Sequence, residues 1–62
     1  MLENYKDVLT VNDLMEILHI GRNTAYTYLQ NGEIPSKKIR SKYIIPKIGV
    51  ENYLRNITWK NF

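Results

Sequence analysis

Glycine and proline punctuate the middle of this chain so densely that no long helix or strand fits there. Gly21, Gly32 and Pro35 close one section, and Pro46 and Gly49 open another. Such spacing allows short elements joined by tight turns, because glycine accepts left-handed backbone and proline withholds an amide donor. The 62 residues make one domain at most, with an ordered core expected from about residue 8 to residue 57. A chain this short hides only about 60% of the surface that its unfolded form exposes, so its core is thin. A catalytic pocket needs more wall than that, and no enzyme is expected.

Between the punctuation marks, apolar spacing assigns the elements. Thr10 is placed to cap a first helix, with Asp13 at the reciprocal capping-box position and Leu9 and Leu14 as a hydrophobic staple. Val11, Leu14, Ile17 and Leu18 share one face, which predicts a helix over Val11 to Leu18. His19-Ile20-Gly21 reads as a break, with His19 a turn residue suited to positive φ rather than a metal ligand. A second helix is expected from Arg22 to Gln30, stopped by Asn31-Gly32. Lys37–Arg40 and Tyr43–Pro46 read as a two-stranded hairpin about Ser41-Lys42, with Ile39 and Ile44 or Ile45 turned toward the helices. A third helix is expected from Val50 to about Ile57, with Gly49 as its weak cap. The fold class is therefore mostly α with a small β-hairpin, in the order α-α-β-β-α.

The second helix has an unusual composition. Ala25, Tyr28 and Leu29 form its inward face, while Asn23, Tyr26, Thr27 and Gln30 lie opposite. Charge is just as uneven. Residues 1–21 carry Lys6 against Glu3, Asp7, Asp13 and Glu16, whereas residues 22–47 carry Arg22, Lys37, Lys38, Arg40, Lys42 and Lys47 against Glu33 alone. A basic middle behind an acidic start points to a polyanionic partner; the plain alternative is a solvated basic hairpin.

Two helices joined by a tight turn make a helix-turn-helix, whose second helix enters the major groove of DNA while the first crosses the backbone. The residue types suit that task. Asn23 and Gln30 can bond bidentately to adenine, and Thr24 and Thr27 offer a hydroxyl and a methyl. Arg22 can fork onto a phosphate or a guanine, and the helix N-terminus itself attracts phosphate. Tyr26 stands between a phosphate contact and ordinary packing; Tyr28 reads as packing. Lys37, Lys38, Arg40, Ser41, Lys42 and Tyr43 form the expected wing, lying along the backbone or dipping into the minor groove. Trp59 and Phe62 either fold back onto the core or meet another protein.

Taken together, the stretch from Val8 to Leu54 resembles the excisionase-type winged helix-turn-helix, a relative of the MerR DNA-binding domain. The matching pieces are Leu9-Thr10, Leu18 to Gly21, Thr24 to Leu29, Gly32-Glu33-Ile34-Pro35, Ile45-Pro46 and Tyr53-Leu54, within about three-quarters of the chain. There are departures. His19 stands where a turn glycine is usual and Gly21 where a serine cap is usual. Thr27 replaces a common basic residue, and Ser41-Lys42 replaces a common Gly-Arg at the wing tip. Ile48-Gly49 replaces an acidic start of the closing helix.

The resemblance implies a sequence-specific accessory protein of a mobile element such as a phage. Excisionases bind and bend attachment-site DNA and help a tyrosine-recombinase integrase, with no strand chemistry of their own. A second implied role is a small MerR-like transcription regulator; the absence of a long dimer helix and effector domain in this length favours the first. A reading from another class is a protein-interaction module such as an antirepressor. The expected partners are double-stranded DNA, an integrase and further copies of the protein on adjacent sites, because one small domain makes few base contacts. No catalytic residue, cofactor, metal, membrane or small-molecule substrate is expected, and the location is cytoplasmic, on the nucleoid. Cysteine is absent and the apolar runs are short.

Overall fold

In the computed structural model, which describes residues 2–56, the chain runs β1 (Val8–Leu9), α1 (Val11–Leu18), α2 (Arg22–Gln30), β2 (Lys37–Ile39), β3 (Lys42–Pro46) and α3 (Lys47–Asn56). The three strands form one antiparallel sheet in the order β1-β3-β2. This is a winged helix-turn-helix, with α1 and α2 as the motif and β2–β3 as the wing.

Local chemistry accounts for α1 and α2 at the boundaries expected. The Asp13 amide donates to Thr10 Oγ1 at 3.1 Å, and the Thr10 amide donates back to Asp13 Oδ2 at 3.1 Å, completing the capping box. Leu9 and Leu14 flank the box and are both buried, as a staple requires. His19 then ends α1 in the left-handed region at φ 55°, and the Ile20 amide bonds the Met15 carbonyl at 3.1 Å. Gly21 begins α2 without a side-chain cap. Gly32, at φ 82°, turns the chain out of α2, and the Asn31 side chain accepts the Glu33 amide at 3.1 Å.

The core is one cluster: Leu2, Leu9, Leu14, Ala25, Leu29, Ile34, Ile45 and Val50. Leu2 lies outside the core span expected from the sequence. The segment before β1 is fastened to α3: the Leu2 amide donates to Glu51 Oε2 at 3.3 Å, and the Lys47 amide donates to the Asp7 carbonyl at 2.8 Å. Lys47 Nζ also donates to the Tyr5 carbonyl at 3.2 Å. Lys47, counted above with the basic middle, is therefore engaged in holding this segment in place.

Four further expectations are corrected. The sheet has a third strand, β1, which pairs Leu9 with Ile45 and is too short to show a period. The wing turns at Arg40-Ser41, one residue earlier than expected, because Ile39 pairs with Lys42. Arg40 holds φ 59° at that tip, so it, and not Ser41, occupies the position that glycine would take most easily. The pleat then sends Ile45 inward and leaves Ile39 (52% exposed) and Ile44 (37%) on the outer face. Finally, α3 starts at Lys47, so Gly49 lies inside the helix and caps nothing. A Cβ on Gly49 would sit 3.2 Å from the ring carbons of both Pro35 and Pro46; the bare glycine lets α3 close on the turn before the wing. Ile57, Trp59 and Phe62 lie outside the described residues.

Candidate nucleic-acid interface

Helix α2 presents two stripes. Asn23, Thr27 and Gln30 are spaced by four and three residues, share a face and are exposed, as is Thr24 beside them. Thr27 Oγ1 donates to the Asn23 carbonyl at 3.0 Å, which commits its proton to the helix and leaves its lone pairs and methyl group outward. Opposite, Ala25 and Leu29 are buried, and Tyr28 packs on Tyr53 of α3 with ring centroids 6.4 Å apart.

The second stripe, Arg22 and Tyr26, faces the rest of the motif and the wing. Arg22 Nη2 donates to Asn12 Oδ1 on α1 at 2.8 Å. Tyr26 is half-buried against Tyr43 of β3, with centroids 5.8 Å apart and rings tilted by 49°. This contact joins α2 to the wing. Packing is thus the structural role of Tyr26, one of the two readings that its sequence position left open.

The wing divides its charges between two faces. Lys38 pairs across the ladder with Tyr43, and its ammonium lies 5.7 Å from the centre of that ring, on the side of the sheet that meets α2. Lys37 pairs with Ile44 and projects to the outer face. Arg40 and Ser41 form the exposed tip. Lys42 closes the ladder next to the turn and borders the space beside Tyr43.

That space is a cleft of about 260 Å³. Arg22 and Tyr26 line it from α2, and Ser41, Lys42 and Tyr43 from the wing. Thr10, Val11 and Asn12 close it from the start of α1. In the sequence Thr10 and Val11 stood out only as a helix cap and an apolar-face residue, and Asn12 was not singled out. Asn12 is ten residues from Arg22, and only the crossing of the two helices brings the pair together. Its one local signal is a polar side chain in the first turn, off the Val11–Leu14–Leu18 stripe.

Among the described residues no cluster of three or more His, Asp or Glu could hold a metal ion, and no helix is long and apolar enough to cross a membrane. The family described as the helix-turn-helix domain matches residues 8–58, most of the chain. The protein belongs to that family and is a DNA-binding helix-turn-helix protein. Compared with curated proteins and with solved structures, the chain matches none of them.

Proposed function

We propose that the protein docks α2 in the major groove of duplex DNA and lays the β2–β3 wing along the adjoining backbone, without catalysing a reaction. The observation that carries this reading is the continuity of the surface. The exposed Asn23–Thr27–Gln30 stripe runs beside Arg22 and Tyr26, and Tyr26 packs directly on the wing that carries Lys38, Arg40 and Lys42. Asn23 and Gln30 would read adenine edges, Thr24 and Thr27 would meet thymine methyls or phosphates, and the wing would supply affinity with little sequence information.

Within that reading, the biological role is that of an excisionase: an accessory factor that binds and bends attachment-site DNA and assists a tyrosine-recombinase integrase. Support for this finer step comes from the resemblance of the Leu9–Leu54 motifs to excisionase-type domains. Gel shifts on random duplex at rising salt test the first part. With about four to six phosphates neutralised, log K should fall with log salt at a slope of roughly −4 to −5. Failure to bind at low ionic strength would leave the interaction-module reading in its place. Excision in vitro by a cognate tyrosine-recombinase integrase, with and without this protein, tests the second part. Stimulation supports the excisionase role, and altered transcription from an adjacent promoter without stimulation supports the regulator.

A further inference from the structure

We propose that the cleft between α1, α2 and the wing seats one backbone phosphodiester, gripped by Arg22 and positioned by Asn12. This rests on the DNA-binding reading above and deepens it, assigning a contact to α1 and removing Arg22 from the residues that read bases. The cleft is about 260 Å³ and is bounded by three separate elements. No carboxylate lines it, whereas a guanidinium, an ammonium and several hydroxyls do. A wall so rich in donors suits an anion with several oxygens.

The Asn12–Arg22 hydrogen bond decides which way the guanidinium is used. One of its five N–H groups goes to Asn12 Oδ1 at 2.8 Å, and the remaining fork is left for a ligand. The bond draws Arg22 toward α1 and into the stripe it shares with Tyr26, off the face that carries Thr27 and Gln30. Asn12 and Arg22 are both exposed, so a backbone phosphate can reach the cleft from solvent. Arg22 is then a sequence-blind contact, and Asn12 is its positioning residue.

Binding to a random duplex and to a duplex obtained by selection from a random pool tests this. Arg22→Ala should lower both affinities by the same factor and flatten the salt slope by about one. Asn12→Ala keeps every charge, so the slope should hold while both affinities fall about five-fold, the effect of one lost hydrogen bond at a solvent-exposed site. Both residues are exposed, so each variant should stay folded with a thermal midpoint only slightly below that of the wild type, and a cooperative melt checks this. Loss confined to the selected duplex in Arg22→Ala overturns the assignment, as does full affinity in Asn12→Ala. Inorganic phosphate, followed by NMR, separates the sources of the anion. Shifts led by the Arg22 Nε–H and the Asn12 carboxamide support the seat, and shifts spread evenly over all lysines overturn it. A site that takes inorganic phosphate while duplex affinity ignores Arg22 overturns the backbone as its ligand. If the wild-type protein binds no duplex, the DNA reading itself fails and the backbone assignment with it; the phosphate titration then decides whether the cleft is an anion seat at all.

Discussion

The two helices of the motif are nearly equal in length and differ in almost everything else. α1 is closed at both ends by its own sequence, through the Thr10–Asp13 box, the Leu9–Leu14 staple and a left-handed His19. α2 starts at an uncapped Gly21; it buries Ala25 and Leu29 with Tyr26 and Tyr28 half-buried beside them, whereas α1 surrounds its buried Leu14 with four packed aliphatics, Val11, Met15, Ile17 and Leu18. The stability of α2 is borrowed from its neighbours, through Tyr28 on Tyr53, Tyr26 on Tyr43 and Arg22 on Asn12. A helix that must present polar side chains to a partner has little apolar surface left to anchor itself, so the surrounding elements hold it. On the proposed reading, the difference between the two helices is a division of labour between stability and recognition.

Substitutions can break or sharpen that contrast. The largest effect is expected from Leu14→Ala. Its fully buried side chain stands at the centre of the staple, and a cavity there should remove about 2–5 kcal/mol. A domain this small holds only about 3–5 kcal/mol in total, so much of the protein should unfold, as circular dichroism at 25 °C would register. Thr10→Ala removes one half of the capping box and should lower stability by about 1 kcal/mol in urea melts.

Gly21→Ser works the other way. Nothing lies within 4 Å of a Cβ built there, and φ −76°, ψ 169° is backbone that a capping serine adopts. The gain should be a few tenths of a kcal/mol, read as a higher melting point, and it would narrow the gap between the helices. The smallest effect concerns Tyr5, whose hydroxyl donates to the Glu16 carboxylate on α1. That bond, followed by burial, raises the phenol above its ordinary value of 10.0. A raised folded-state value means that the contribution is fully present below pH 10 and is lost as pH climbs through the folded value. Tyr5→Phe should therefore lower stability slightly at neutral pH and flatten the alkaline limb of the stability curve, where the wild-type contribution is lost anyway.

The sequence was most legible where signals were local and agreed. Capping residues, staple and stripe all marked α1, and Asn31-Gly32 marked the end of α2. It was least legible where a residue acts at a distance. Gly49 resembles a helix cap, but its missing side chain serves contact with Pro35 and Pro46, whose positions only the folded chain defines. Arg40 carries positive φ with no glycine to announce it, so the wing turn reads one residue late. Leu2 and Lys47 join the frame through bonds that span more than forty residues. On the candidate interface, the outward stripe of α2 followed from helical spacing. The cleft did not, since no period relates Asn12, Arg22 and Tyr43.

The most direct test of the division of labour is the ratio of affinities for a selected and a random duplex, measured for Thr27→Ala beside Lys42→Ala. If α2 reads bases while the wing holds the backbone, Thr27→Ala lowers the ratio and Lys42→Ala weakens both affinities equally with a shallower salt slope. An unchanged ratio in Thr27→Ala, with equal loss on both duplexes, would contradict it.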